Sequence, residues 1–309
     1  MKVIFMGTPD FAVGALEKIV EAGHDVVLVV TQEDKPKGRG KEIQFTPVKE
    51  CAIKHSIEVY QPHRIKSEEG VAKLREYKAD VFVVAAYGQI LSKEILDMPK
   101  YGCVNIHASL LPKYRGAAPI QWSIIDGEKI TGVTTQMMAE GIDTGDILDV
   151  LEVEITPDET GGSLFDKLTE AGADIILKTL NKLEDGTATR TPQDDSKSSY
   201  ARMLDKKLGD IDFTKPAEEI ERLVRGLNPW PSAYTRYNGK TLKVWKAEVI
   251  TTEYEGQCGQ IVEKNKKAII VKTGKGALAI TELQVEGKKR MTTEAYMCGA
   301  GFELGIILG

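Results

Sequence analysis

The chain of 309 residues has few cysteines and few histidines, and it lacks a long apolar run. Its four cysteines are far apart and form no Cys-x-x-Cys pair, which excludes a disulfide-stapled scaffold and a cysteine-rich zinc module. No apolar segment approaches the roughly 18 residues of a membrane-spanning helix, and the N-terminal sequence does not resemble a signal peptide. The sequence therefore predicts a cytoplasmic protein that has no membrane partner.

Several motifs of nucleotide and acyl chemistry are also missing. The first apolar run is followed by Gly-Thr-Pro-Asp rather than Gly-x-Gly-x-x-Gly, so a bound NAD or FAD is not expected. The P-loop spacing is absent, which excludes nucleotide hydrolysis of that class. No Gly-x-Ser-x-Gly motif supplies a serine nucleophile. No group of His, Cys or carboxylate residues has metal-ligand spacing, and we therefore predict no metal site.

The first half of the chain alternates strand signals with helix signals. Continuous apolar runs at 2–6, 26–30 and 81–86 are separated by segments with helical spacing at 11–22 and 70–76. Apolar runs without alternation indicate strands that are covered on both faces. This pattern predicts an α/β fold with a doubly wound, mostly parallel sheet of the Rossmann type.

The C-terminal part of the chain has a different character. A polar stretch rich in Thr, Asp and Ser begins at residue 186, and strand-like runs follow at 243–249, 268–272 and 277–281, divided by turns that contain glycine. Such short strands predict a smaller β-barrel, for which the oligonucleotide-binding (OB) type is one candidate. We predict an α/β domain at 1–188, a linker at 189–206 and a barrel domain at 207–309.

One of the four histidines has a neighbour with which it could bind an oxyanion. Asn105 and His107 are two positions apart, so on an extended strand both side chains project to the same face. Two hydrogen-bond donors aimed at one point suit a carbonyl oxygen that gains negative charge during acyl transfer. The alternative is that both side chains only satisfy backbone groups at the end of the strand.

A second loop could bring a carboxylate to this histidine. Asp143 lies between Gly141 and Gly145, on a tight connection where its carboxylate could approach His107 and orient the imidazole. The residues alone leave a second interpretation open, in which Asp143 is a turn residue with no further role.

Three separated blocks of the chain resemble the folate-dependent formyltransferases in order and spacing. They are Asn-Ile-His at 105–107, Ser-Leu-Leu-Pro-Lys-Tyr-Arg-Gly at 109–116 and Gly-Ile-Asp-Thr-Gly-Asp at 141–146. Four further segments, at 1–10, 39–49, 85–91 and 225–233, resemble the family members that formylate initiator Met-tRNA. The resemblance extends over essentially the whole chain.

The resemblance implies transfer of a formyl group from 10-formyltetrahydrofolate to the α-amine of methionine on initiator Met-tRNA. It implies a catalytic set in which Asn105 and His107 stabilise the oxyanion, while Asp143 holds His107 and helps to remove the amine proton. Because an amine is itself a nucleophile, no Ser or Cys nucleophile is required. The implied folate site consists of Tyr87, Gly88, Gln89, Ile90, Leu91, Ser109, Leu110, Leu111 and Pro112.

Other functions remain open at the level of sequence. A formyltransferase that acts on a small amine, such as an amino-sugar nucleotide, would share the catalytic set. A non-catalytic RNA-binding protein could keep the α/β domain as a scaffold, and a hydrolase could release formate from the same donor. Family members that formylate a purine precursor lack a second domain, so residues 204–309 argue against them. We expect the protein to be a monomer.

A basic connection favours tRNA as the partner. Residues 32–49 form a long polar segment after a strand, and within it Lys35, Lys37, Arg39 and Lys41 fall in a stretch that has no acidic residue. Such a loop suits insertion against an acceptor stem, where neutralisation of phosphates supplies salt-sensitive affinity. An ordinary solvated loop is the alternative. Four positive charges would have no role with a small acceptor.

We predict that Arg39 makes the main tRNA contact of this connection. An Arg39→Ala variant should use charged tRNA less well, because a cation that pairs with phosphate is lost, and it should bind folate as before. The KM for charged tRNA at low and moderate salt, set beside the dissociation constant for folate, measures the two effects separately. An equal loss of both would contradict the assignment.

Overall fold

The structure is a computed structural model, and it describes residues 1–37 and 42–309. Its strands and helices in chain order are β1 (Lys2–Gly7), α1 (Val13–Glu21), β2 (Asp25–Val30), β3 (Lys35–Lys37), β4 (Glu42–Gln44), α2 (Pro47–Lys54), β5 (Val59–Tyr60), α3 (Glu68–Glu76), β6 (Val81–Ala85), α4 (Lys93–Leu96), β7 (Cys103–His107), β8 (Arg115–Gly116), α5 (Pro119–Ile125), β9 (Ile130–Met137), β10 (Ile147–Glu154), α6 (Gly161–Glu184), β11 (Tyr200–Ala201), α7 (Ala217–Gly226), β12 (Ala233–Tyr237), β13 (Lys240–Ile250), β14 (Ile261–Lys264), β15 (Ile269–Lys272), β16 (Ala277–Val285), β17 (Met291–Thr292) and α8 (Thr293–Gly299). In the part of the chain described, no helix combines the length and the apolar character needed to cross a membrane.

Seven strands form the main sheet, in the order β10-β9-β7-β6-β1-β2-β5. Five neighbouring strands of this sheet are parallel to one another: β7, β6, β1, β2 and β5. Strand β9 pairs antiparallel with β7, and β10 pairs antiparallel with β9. Strand β6 is buried along its whole length, which is why its sequence is a continuous apolar run. The predicted α/β fold with a mostly parallel, Rossmann-like sheet is confirmed.

The chain folds into two compact units. The first unit consists of Met1–Gly116, Ile130–Glu154 and Phe165–Ala201, and the second consists of Ala117–Lys129, Ile155–Leu164 and Arg202–Gly309. The boundaries that we predicted from the sequence, with a linker at 189–206, stay a prediction. Within that range, β11 pairs in parallel with β8 of the first unit.

The second unit contains an antiparallel sheet in the order β12-β13-β16-β15-β14, with β17 paired to β16. Apolar side chains from this sheet and from α7 and α8 form its core. The β character predicted for this part of the chain is therefore confirmed, and its closure into an OB-type barrel remains a prediction.

A buried carboxylate attaches α6 to the antiparallel edge of the main sheet. Asp149 of β10 accepts hydrogen bonds from Lys182 Nζ to Oδ1 at 2.6 Å and from Thr179 Oγ1 to Oδ2 at 3.0 Å. Lys178 Nζ lies 3.2 Å from the same Oδ1. Burial alone would raise the pKa of Asp149, but these hydrogen bonds outweigh it and the pKa lies below its ordinary value.

We expect an Asp149→Asn variant to lower the free energy of unfolding by about 1–3 kcal/mol, because charge-assisted hydrogen bonds in a buried position are lost. The lowered pKa adds a pH dependence. The stabilisation is present above the unfolded pKa of about 3.9 and is lost as the pH falls through the lower folded pKa. Urea unfolding of the whole chain at pH 7 and at acidic pH measures both effects.

Lys178→Ala is the matched control, because the Lys178 side chain is 59% exposed and its ion pair is screened by solvent. If the two variants unfolded at the same urea concentration, the role given to Asp149 would be wrong.

Candidate active site

The candidate site lies at the carboxyl end of β7. Strand β7 runs parallel to β6 in a register that pairs Val84 with Asn105, so the loop after β6 emerges beside the end of β7. Open parallel sheets bind their ligands along this edge, where loops from neighbouring strands meet. The connections at 87–91 and 109–112 are therefore neighbours at one edge of the sheet.

The register between β7 and β9 fixes which side chains share a face. Asn105 pairs with Gln136, and His107 pairs with Thr134, in antiparallel fashion. Residues directly opposite one another project to the same side of a sheet, so the two amides and the imidazole point together. Asn105 is half-buried, and its side chain makes no hydrogen bond to any residue that the structure describes. Its amide is available to a ligand.

His107 is buried, and both nitrogens of its ring face groups of the protein. The Nε2 atom donates to the backbone carbonyl of Tyr114 at 2.9 Å. Since a carbonyl oxygen only accepts, the contact places a proton on Nε2 and fixes the plane of the ring. The Nδ1 atom then faces Asp143, with 3.6 Å between Nδ1 and Oδ1.

Asp143 occupies the connection between β9 and β10 in a left-handed conformation, with φ at +52°. Its side chain is 16% exposed. Carboxylate oxygen Oδ2 accepts the backbone N–H of Gly116 at 2.8 Å, and Oδ1 accepts Nε2 of Gln136 at 2.9 Å. The structure thus brings together the three polar residues singled out in the sequence, with the carboxylate fixed by two donors beside the imidazole.

Gln136 is a site residue that the sequence analysis missed. It is 2% exposed, and its Oε1 atom is buried without a partner among the described residues. The available signal was a carboxamide near the end of an otherwise apolar and threonine-rich strand, at a position that the register sets opposite Asn105. Such a residue needs partners when it is buried, and here it finds one in Asp143.

The structure places the predicted folate residues after β6 in different roles. Tyr87 and Leu91 belong to the apolar core, whereas Ile90 is 71% exposed. Gly88 has φ at +86°. Gln89 uses both ends of its carboxamide to hold the neighbouring segment: Oε1 accepts the N–H of Ile65 at 2.8 Å, and Nε2 donates to a backbone carbonyl.

The segment after β7 is held by its own polar groups. Ser109 is fully buried, and its hydroxyl donates to the carbonyl of Lys113 at 2.7 Å, which bends the chain back. The N–H of Leu111 donates to Thr134 Oγ1 at 3.2 Å. Leu110 and Pro112 are half-buried. Ser109 and Leu111 therefore shape this loop, and its partly exposed surface comes from the other two residues.

The structure describes part of the basic connection at 32–49, up to residue 37 and again from residue 42. Strands β3 and β4 pair as an antiparallel hairpin, and Lys35 on β3 is exposed. Lys37 ends β3, while Arg39 and Lys41 lie outside the described residues. At the base of the hairpin Lys49 forms an ion pair with Asp34 and donates to Gln61 Oε1 at 2.8 Å.

One group among the described residues brings three possible metal ligands together elsewhere in the first unit. The ligand atoms of Glu17, Cys51 and His55, which come from α1 and the end of α2, lie within 4.8 Å of one another. Linear spacing could not predict this group, because two helices contribute to it. Glu17 accepts a hydrogen bond from Lys54 at 3.0 Å, and burial raises the pKa of Cys51 to about 11. A thiol that stays protonated near neutral pH is a poor ligand, so we assign no metal there.

Known proteins similar to this chain are formyltransferases. A formyl transferase family model matches residues 1–180, and the model of the formyl transferase C-terminal domain matches residues 203–301. The chain is 59% identical over 305 residues to a methionyl-tRNA formyltransferase of Agathobacter rectalis, covering 99% of this chain and 98% of that protein. It is 54% identical over 314 residues to a methionyl-tRNA formyltransferase of Lachnospira eligens, covering 100% of both.

Among solved structures, the chain is similar to an N-formyltransferase of Helicobacter canadensis in complex with folinic acid and dTDP-3-aminofucose. The TM-score is 0.69 at 20% identity, and the match covers 94% of this chain and 100% of the other. At this level of identity the likeness concerns the fold. It agrees with the α/β unit and the C-terminal sheet described above.

Proposed function

The chain belongs to the methionyl-tRNA formyltransferase family, and from this premise we propose that it transfers the formyl group of 10-formyltetrahydrofolate to the α-amine of methionine on initiator tRNA. One observation carries the proposal. The unpartnered amide of Asn105 lies on the same sheet face as His107, and the Nδ1 atom of His107 faces the carboxylate of Asp143. A donor, a ring that can hold a positive charge and a proton acceptor are the groups that amine formylation requires.

The reaction balances without a covalent enzyme intermediate. The amine nitrogen forms a bond to the formyl carbon, the bond from that carbon to N10 breaks, and the proton lost by the amine is returned to N10. Negative charge develops on the formyl oxygen in between. The Asn105 amide donates to that oxygen, and a donor already held in place costs little reorganisation when the charge appears.

The role of His107 is electrostatic. Its Nε2 atom is committed to the Tyr114 carbonyl and its Nδ1 atom faces Asp143, so neither nitrogen is free to donate to the oxyanion. The ring acts on the developing charge through its electric field, in an orientation that is fixed before the substrates bind. Asp143 holds the ring and takes up the amine proton, directly or through water.

We assign the folate substrate to the loops at 87–91 and 109–112. The exposed side chain of Ile90 and the half-buried Leu110 and Pro112 offer apolar surface to a flat ring system. The hydroxyl of Tyr87 is buried without a partner among the described residues, which leaves a polar group beside that surface. The loops are held in place by the other predicted folate residues, which contact the protein itself: Ser109, Leu111, Gln89 and Leu91.

We propose that charged tRNA is bound by the basic connection at 32–49, through Lys35, Lys37, Arg39 and Lys41, and that the C-terminal unit also binds tRNA. The exposed position of Lys35 and the ion pair at the base of the hairpin support a solvent-facing element that can meet phosphates. We further propose that the protein acts as a monomer in the cytoplasm. A small amine, such as an amino-sugar nucleotide, is the competing acceptor.

The proposal is tested by mixing the purified protein with 10-formyltetrahydrofolate and charged initiator Met-tRNA, and by following formyl-methionine at low and moderate salt. Parallel reactions contain free methionine, an amino-sugar nucleotide or no acceptor. We expect transfer to the tRNA alone, at a rate that falls as salt rises, because phosphate contacts supply affinity. Transfer to the sugar, or release of formate without an acceptor, would overturn the assignment of the tRNA.

The catalytic set makes a second prediction. His107→Ala and Asn105→Ala should each lower kcat by about 100- to 1000-fold, the range typical for loss of one oxyanion-stabilising group. Asp143→Asn should lower kcat while substrate binding is kept, because its volume is preserved and its charge is lost. Single-turnover formyl transfer, with folate affinity measured separately, distinguishes chemistry from binding.

His24→Ala is the matched control, since His24 lies in the turn after α1 and takes no part in the set. Near-full activity of His107→Ala and Asp143→Asn would show that the chemistry lies elsewhere.

A further inference from the structure

The loop that carries Asp143 is held by a residue from a distant part of the chain. The Nε2 atom of Gln193 donates to the carbonyl of Asp143 at 2.9 Å and to the carbonyl of Gly145 at 2.7 Å. These contacts grip the backbone on both sides of residue 144. A left-handed conformation at a residue other than glycine is strained, so it persists only where its surroundings impose it.

Arg115 fixes the orientation of Gln193. The Oε1 atom of Gln193 accepts from Nε of Arg115 at 3.0 Å and from Nη2 at 2.8 Å. The Arg115 side chain is 11% exposed, and its Nη2 also donates to Asp195 at 2.7 Å. A rotated carboxamide would set its NH2 against the guanidinium and its oxygen against two carbonyls. Only one orientation of Gln193 is therefore compatible with its neighbours.

The short strand β8 holds Asp143 in two ways. Arg115 acts through Gln193 on the loop backbone, and the next residue, Gly116, donates its N–H to the Asp143 carboxylate. Gly116 has φ at +109°, and a Cβ there would lie 2.7 Å from the ring of Tyr200 and 2.8 Å from the carbonyl of Ala201. Strand β11 thus packs tightly on β8, so that both contacts to Asp143 start from one supported pair of strands.

We propose that Gln193 is a positioning residue, oriented by Arg115, that holds the Asp143 loop in the conformation the reaction needs. The inference rests on the proposed function, because it gives Gln193 a role through Asp143. Gln193 does not contact the imidazole, and no contact with substrate is required. It acts on the backbone, whereas Gln136 and Gly116 act on the carboxylate itself.

Two variants separate the donor from the rest of the side chain. Gln193→Leu removes both the donor to the two loop carbonyls and the acceptor for Arg115, at similar side-chain volume. Gln193→Glu keeps an acceptor for Arg115 and removes the donor to the two carbonyls. Both variants should lower kcat by about 10- to 100-fold, as expected when a reacting group is displaced without being removed. The KM values for 10-formyltetrahydrofolate and charged tRNA should change by less than about threefold.

A double-mutant cycle with Asp143→Asn tests the route of the effect. If Gln193 acts through Asp143, then Gln193→Leu should have little further effect on kcat in the Asp143→Asn background. Full additivity of the two losses would overturn the proposal, and so would a change confined to KM. Asp195→Asn is the matched control: Asp195 touches Arg115 and is 81% exposed, and we expect activity within about twofold of the parent.

Hydrogen–deuterium exchange gives a readout that does not depend on activity. Peptides that cover residues 138–147 should exchange faster in Gln193→Leu than in the parent, while peptides of β1 and β6 should not change. Unchanged exchange at 138–147 would overturn the proposal even if the variant were inactive. The parent protein is assayed first. A parent that does not transfer formyl groups to tRNA would count against the proposed function, and not against the hold of Gln193 on the Asp143 loop.

Discussion

The geometry of the proposed site depends on where the carboxylate of Asp143 is held. One of its oxygens accepts the N–H of Gly116, and the other accepts the amide of Gln136 and faces Nδ1 of His107. A carboxylate with two fixed donors has little freedom to rotate. The imidazole is tied at its other nitrogen to the Tyr114 carbonyl, so it too keeps one orientation. Groups fixed before the substrates arrive need little reorganisation when charge develops, and this is the largest single source of catalytic power in many enzymes.

A change of strand direction at β7 makes this arrangement possible. On one side β7 is parallel to β6, so the loop after β6 opens at the same sheet edge as Asn105. On the other side β9 returns antiparallel, which sets Gln136 opposite Asn105 and sends the chain into the turn that carries Asp143. The turn leaves β9 after Met137, which pairs with Val104, and folds back so that Asp143 reaches Gln136 and the ring of His107. The antiparallel neighbour of β7 thus contributes both Gln136 and the connection that carries Asp143.

The sequence predicted those features that depend on local pattern. Uninterrupted apolar runs gave the parallel sheet, and period-two alternation put Asn105 and His107 on one face. Local pattern could not identify Gln193, which lies 50 residues from Asp143 along the chain and is brought to it by the fold. Nor could it assign residues 117–129 to the second unit, because contacts and not chain order decide that membership. Gln136 was missed for a related reason: a polar residue inside a strand reveals its role only when the opposite strand is known.

The polar groups left unpaired at the site indicate what completes it. A buried side-chain polar atom without a partner costs about 1–3 kcal/mol, and native proteins rarely keep one without a reason. In the part of the chain described, Gln136 retains a buried acceptor of this kind, and Asn105, directly opposite, has a donor that no described residue uses. In the reaction that we propose, the formyl oxygen is an acceptor and can take the free N–H of Asn105. The carboxamide of Gln136 is used differently, because its Nε2 atom donates to Asp143 and so fixes the carboxylate, even though its oxygen stays unpaired.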